Sequence, residues 1–276
     1  MLTVEKEREY AEIFNAMADF VRSLGLIVNT KTKARGHQGF FLQNRIDISA
    51  DISYERKIEV LIHEFTHYIH HKIDRNIHKT HGELGILFPG ADLKRIEKEL
   101  LSVTRFVDKN KSLKMLKAQR DRVLEEIKEL DKSIKSEYPD FKRSYPFKKF
   151  DNAIKKCDAK YLLKYDRVKV KTMFLGKTTD YSIKTIDEDF PQLEEQVRNY
   201  IKLKSKQRVL KRIASRTSRL NAYYKRPTEL FARFVEALFV DTQKVSELAP
   251  HTYLVFCSEL SKNRYLELAD FINNFF

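Results

Sequence analysis

His63, Glu64 and His67 stand in the order His-Glu-x-x-His within Val60-Leu61-Ile62-His63-Glu64-Phe65-Thr66-His67-Tyr68-Ile69. On an α-helix, residues four apart share a face with Cβ atoms about 6 Å apart. His63 and His67 can therefore converge on one metal ion, with Glu64 beside it. The chemistry such a trio performs is hydrolysis, in which the ion acidifies a water and the carboxylate takes its proton as general base. The flanks suit that role: Val60, Leu61, Ile62, Phe65 and Ile69 are apolar, no Pro or Gly interrupts them, and neither residue between Glu64 and His67 is charged. A helix buried on one side, with its ligands toward a cleft, has this character. The plain alternative is an amphipathic helix whose histidines are ordinary surface or core polar groups.

Catalytic zinc takes three protein ligands and keeps one position open, so a third residue is needed. His70 and His71 lie on the same helix, roughly 10 Å or more along its axis from His63, and Asp74 lies farther still. The extended pattern with Gly and a third His is absent, because His70 and Ile73 occupy those positions. A better candidate stands in Tyr223-Tyr224-Lys225-Arg226-Pro227-Thr228-Glu229-Leu230-Phe231-Ala232-Arg233-Phe234-Val235-Glu236. Pro227 suits the first position of a helix, and Glu229 its first turn, where the helix dipole favours a carboxylate. Leu230, Phe231, Phe234 and Val235 are expected to dock this helix on the motif helix while Glu229 points at the metal. Glu236, two turns on, shares its face and is placed to orient a ligand or to pair with Arg233. The alternative for Glu229 is a surface residue favoured only by the dipole. Tyr223 or Tyr224 is a candidate hydrogen-bond donor to an oxyanion, and Arg226 or Arg233 to anchor a substrate carboxylate or hold Glu229.

These residues need elements to position them. Val4, Ala11, Phe14, Met17, Ala18, Val21 and Leu24 recur at helical spacing over residues 3–24, with Gly25 as a stop. Short strands are expected at Leu26-Ile27-Val28, Gly39-Phe40-Phe41-Leu42 and Ile46-Asp47-Ile48-Ser49, in a small antiparallel sheet. A strand near Phe40 or Ile48 is the expected edge, able to hold an extended substrate by backbone hydrogen bonds. Ser53 caps the motif helix, which runs to about Ile73. A turn-rich loop with His78, His81, Gly82, Gly85, Pro89 and Gly90 follows. From Asp92 to about Arg226 the chain reads as Lys-rich helices, with Pro139 and Pro146 in a turn and a strongly basic helix from Arg198 to Arg219. Thr242 to Phe276 reads as two short helices over the back of the metal helices, with Phe275 and Phe276 as core or contact residues.

The net charge of +14 attracts nucleic acid, acidic proteins or anionic lipid without choosing among them. Cys157 and Cys257 are far apart and outside any CxxC spacing, so they read as free thiols of a reducing compartment. The charged N-terminus has no signal-peptide core and no run approaches a membrane span, so the expected location is cytoplasmic, without membrane association.

Val-Leu-Ile-His-Glu-Phe-Thr-His (60–67), followed far downstream by Tyr-Tyr-Lys-Arg-Pro-Thr-Glu-Leu-Phe-Ala-Arg (223–233), resembles the zincin-type domains of polyvalent proteins of phages and conjugative elements. It is similar, more distantly, to the ImmA/IrrE peptidases. The resemblance covers about residues 25–75 and 220–240, and it implies a His-His-Glu site completed by Glu229. ImmA-like enzymes have a much shorter interval between the motifs, so the resemblance implies that the Asp92–Arg226 region is an insertion.

The expected fold is therefore α+β and mostly helical, a minimal zincin core with a small antiparallel sheet and a long helical insertion. Its expected parts are 1–90, carrying the motif helix, a basic insertion over 91–222, and 223–276, carrying the third-ligand helix. The expected function is a gluzincin-like metallopeptidase that holds Zn²⁺ through His63, His67 and Glu229 and cuts a protein or peptide. Glu64 is its base, and Tyr223 and Tyr224 are further catalytic candidates. The rival is a basic helical module that binds nucleic acid or an acidic partner on a zincin-like scaffold without peptidase activity.

Overall fold

A computed structural model describes residues 4–32, 38–74, 77, 82–108, 112–171 and 178–275. His78, His81 and Phe276 lie outside the described residues. The chain divides into two compact units, one of residues 1–110 and 221–276 and one of 111–220. The fold is α+β and mostly helical, as its sequence pattern predicts.

In the first unit, α1 (Val4–Ser23) buries Phe14, Met17, Ala18 and Val21, a stripe at helical spacing, and packs on α2 (Tyr54–Ile73). Gly25 ends α1 at φ +85°, a left-handed conformation that glycine adopts without strain. Three strands follow, β1 (Ile27–Thr32), β2 (Gly39–Leu42) and β3 (Arg45–Ser49), in the order β1-β3-β2. β2 and β3 form the expected antiparallel hairpin, but β1 runs parallel to β3, so the sheet is mixed rather than wholly antiparallel. Burial accounts for the order and not for the direction: Ile46, Asp47 and Ile48 of β3 are fully enclosed, as suits the central strand of three. Of the two expected edges, β2 with Phe40 is the edge and Ile48 lies on the inner strand.

The rest of this unit is α3 (Leu84–Leu87), α4 (Leu93–Val107), α9 (Pro227–Leu248), α10 (Pro250–Ser261) and α11 (Leu266–Phe275). α4 corrects the expected boundary at residue 91. Ile96, Leu100, Val103 and Val107 bury its apolar face in the first unit's core, where it packs on α9 and α10. Its Lys-rich outer face disguised it as part of the insertion. α11 packs on α1 and α2, as expected of the C-terminal helices. Among the described residues, no helix is long and apolar enough to cross a membrane.

The second unit holds α5 (Ser112–Glu137), α6 (Lys148–Lys155), a 3₁₀ turn (Asp158–Leu163), a hairpin of β4 (Arg167–Lys171) and β5 (Thr178–Ser182), α7 (Ile186–Asp189) and most of α8 (Glu195–Tyr224). Its core, built on Phe141, Phe150, Tyr200 and Ile201, shares no residue with the first unit's core. The hairpin corrects the all-helical expectation for this region. Its signal was the alternation Arg167-Val168-Lys169-Val170-Lys171, a period of two hidden among lysines.

Candidate metal centre

Two helices of the first unit carry the site. Ser53 caps α2, its hydroxyl accepting the Arg56 N–H at 3.4 Å. Val60, Leu61, Ile62, Phe65 and Ile69 bury one side of α2, which fixes the rotation that turns His63 and His67 to the other. α9 opens with Pro227 at its first position, where a missing N–H costs nothing, and its Leu230, Phe231, Phe234 and Val235 are fully buried. α9 packs extensively on α2, which brings Glu229 to the motif.

The ligating atoms of His63, His67 and Glu229 all lie within 4.8 Å of one another. His63 Nε2 is 3.5 Å from Glu229 Oε2, and His67 Nε2 is 3.5 Å from Glu229 Oε1. The imidazoles stand nearly perpendicular, 87° apart with centroids at 4.9 Å. Ligand atoms around a tetrahedral zinc with bonds of ~2.0–2.1 Å are separated by about 3.4 Å; the two 3.5 Å His–Glu distances match this, and the 4.8 Å bound on the whole set is wider. Glu229 Oε2 is buried, its 3.5 Å to His63 is long for a hydrogen bond, and it has no hydrogen-bond partner among the described residues. A buried carboxylate oxygen left so is what a metal ligand looks like without its ion. Two imidazoles and one carboxylate are also the donor set of a hydrolytic zinc site.

Glu236 extends the cluster. Its Oε2 is 3.0 Å from His63 Nδ1 and its Oε1 accepts from Arg56 Nη1 at 3.0 Å. With Nδ1–H donating to Glu236, Nε2 is the ring nitrogen of His63 that faces Glu229. Arg56 also donates to Glu59 and, through Nε, to Gln38 Oε1 at 2.7 Å, so it is itself fixed. Arg56, Glu59 and His63 form an i, i+3, i+7 stripe on one helix face. Sequence reasoning missed Arg56, although that stripe was its signal.

Burial opposes a proton on His63, but Glu229 and Glu236 overcome it and raise the imidazole to about 10. Burial and the neighbouring cations lower His67 to about 4. Burial pushes Glu64 up to about 7, while the His63 charge and the Phe41 backbone N–H pull the other way. Glu229 is drawn down to about 2 by His63 and His67 despite its burial.

Tyr223 and Tyr224 part company. Burial and the Glu229 carboxylate raise Tyr223, whose hydroxyl donates to Glu229. The Tyr224 hydroxyl is instead taken by Asp108 Oδ1 at 2.9 Å, and its ring lies under Arg233. Successive helical residues point about 100° apart, so only one of the pair faces Glu229. Arg226 is exposed and lies over the Tyr223 ring. His70, His71 and Asp74 are not in the cluster: His70 is fully buried against Phe231, and His71 packs on Phe41.

β2 closes one side. Gly39 is pressed so tightly on α2 that a Cβ there would meet Val60 Cγ1 at 2.4 Å and Glu64 Cγ at 3.3 Å. Gln38 O accepts from Ser49 N, so the backbone groups of Gln38, Phe40 and Leu42 face β3, and those of Gly39 and Phe41 face outward. The Phe41 N–H reaches Glu64. Comparison with protein-family models, with curated proteins and with solved structures returned no match.

Proposed function

We propose that the protein is a zinc-dependent metallopeptidase that hydrolyses a peptide bond in a protein or peptide substrate. The observation that carries this is the convergence of His63, His67 and Glu229 within 4.8 Å, with buried Glu64 on the same helix. When bound, zinc supplies Lewis acidity, acidifying water and polarising a carbonyl. The rest falls to the chain. Glu64, buried and beside His63 on the same helix, is placed to take a proton from water and return it to a leaving amine. Phe41 N–H holds that carboxylate in place. Glu236 fixes the His63 ring, and Arg56 fixes Glu236. The Tyr223 hydroxyl, beside Glu229, is the candidate side-chain donor for an oxyanion. The open edge of β2 suits an extended peptide, because the outward groups of Gly39 lie beside Glu64.

The test is zinc content and cleavage together. Purified protein should hold about one zinc per chain. Glu64→Gln should keep the metal and lose cleavage, whereas His67→Ala and Glu229→Ala should lose the metal. A folded wild-type protein that binds no zinc ends the proposal.

A further inference from the structure

The charge of the chain is partitioned between its units. Residues 111–220 contain 30 Lys and Arg against 16 Asp and Glu, a net +14, and the remainder contains 23 of each, a net of zero. The whole excess belongs to the second unit. An excess spread in proportion to length would have left more than half of it in the larger first unit.

Within the second unit the charge is concentrated again. Gln196 donates to Glu137 and Lys206 pairs with Glu126, so α5 and α8 run antiparallel and residues 112–122 lie alongside 210–220. Residues 112–122 and 206–220 together carry ten Lys and Arg and one acid, Asp121. Only Leu116 and Ile213 are buried in this stretch, so it is a two-helix rod whose cations are exposed except the half-buried Lys206 and Arg208. Arg208 and Arg212 are held by Asp166 and Lys206 by Glu126. Lys114, Lys117, Arg122, Lys211, Arg216 and Arg219 have no carboxylate within salt-bridge distance among the described residues. At about 100° per residue, Arg208, Lys211, Arg212, Arg216 and Arg219 fall in one sector of roughly 140°.

We propose that this rod is a binding surface for the phosphate backbone of duplex nucleic acid. The six unpaired cations along the ~20 Å of the rod give one charge per ~3 Å, against one phosphate per ~1.7 Å of duplex axis. The rod contains no aromatic residue, so it lacks the stacking platform that single strands require. Its one exposed large apolar side chain is Met115, too little for the apolar anchor of a protein partner. Gln119, Ser215 and Ser218 add neutral donors of the kind that contact phosphate. Recognition is by charge and not by base, and it is independent of the peptidase assignment.

The test is fluorescence anisotropy of the full chain with a labelled 30-base-pair DNA of arbitrary sequence, titrated across salt. Wild type should bind with a steep salt dependence. Lys211→Gln/Arg216→Gln/Arg219→Gln should reduce the slope of log K against log salt by about 3 and weaken binding on the order of 100-fold at 0.1 M salt. Lys94→Gln/Lys98→Gln/Lys244→Gln, exposed lysines of the neutral unit, and Glu64→Gln should bind as wild type. The proposal is overturned by no binding at low salt, by a slope the rod variant leaves unchanged, by tighter binding to the corresponding single strand, or by poly-glutamate competing as well as duplex at equal charge.

Discussion

Glu236→Gln tests whether the cluster is built for a metal. The carboxylate accepts two hydrogen bonds in opposite directions, from His63 Nδ1 and from Arg56 Nη1, both at 3.0 Å. An amide of the same shape has one oxygen, so one of those donors must face an NH₂ group. Arg56 retains Glu59 and Gln38, and α9 retains its buried apolar face, so the fold should tolerate the change. His63 has no such reserve on Nδ1, and its ring orientation loosens. Removing an outer carboxylate from a ligand histidine typically weakens metal binding by about 10- to 100-fold, or ~1.4–2.8 kcal/mol. The assay is competition for zinc against a chromophoric chelator, with the melting temperature of the metal-free protein as control. Arg56→Gln should move zinc affinity in the same direction by less, since it acts through Glu236. A zinc Kd within about threefold of wild type in folded Glu236→Gln would refute the orienting role, because the expected loss is at least tenfold.

Three further outcomes follow from particular contacts. Gly39→Ala should destabilise the first unit by about 1–3 kcal/mol in urea unfolding and less in a Val60→Ala background, since the new Cβ meets Val60 Cγ1 first; equal costs in both backgrounds would count against it. Tyr223→Phe should lower turnover with zinc retained, while Tyr224→Phe should cost about 1 kcal/mol of stability through Asp108 and leave turnover unchanged; the reverse pattern would exchange their roles. Although burial opposes it, Ser205, Arg208 and Arg212 hold Asp166 down at about 2, below its unfolded value. Its contribution to the second unit is therefore full above about pH 4 and lost as pH falls through about 2; Asp166→Asn should flatten that part of the stability profile.

What was legible in the sequence was local. The His-Glu-x-x-His spacing, the Ser53 cap and Pro227 at a helix start are each set by neighbours within one or two turns, and the helices they define are those observed. Glu229 was reachable because its helix start and apolar face could both be read in one short segment. What was not legible was pairing over distance. Nothing within Ile27–Thr32 states that β3 will run parallel beside it, and nothing within Leu93–Val107 states which core its apolar stripe enters. Arg56 was hidden for the same reason: its i, i+3 contact with Glu59 is local, but its function depends on Glu236, 180 positions away.

That separation raises a folding question: how a site assembled from α2 and α9 tolerates an insertion between them. Loop closure grows only logarithmically, about 0.6 kcal/mol per doubling of length, so length itself is a small burden. The greater risk is an insertion whose ends must be pulled together, and the second unit avoids it. In the antiparallel register of α5 and α8, Ser112 falls opposite about residue 220, so the chain enters and leaves the unit at the same end of this helix pair. Its core is also separate from that of the first unit. Replacing residues 112–220 with a short Gly/Ser linker should therefore leave a folded first unit with zinc affinity within about threefold of the full chain, while duplex binding is abolished. If the shortened chain folds but cannot hold zinc, the second unit is part of the site's framework; if it holds zinc and still binds duplex, the charge partition does not mark the nucleic-acid surface.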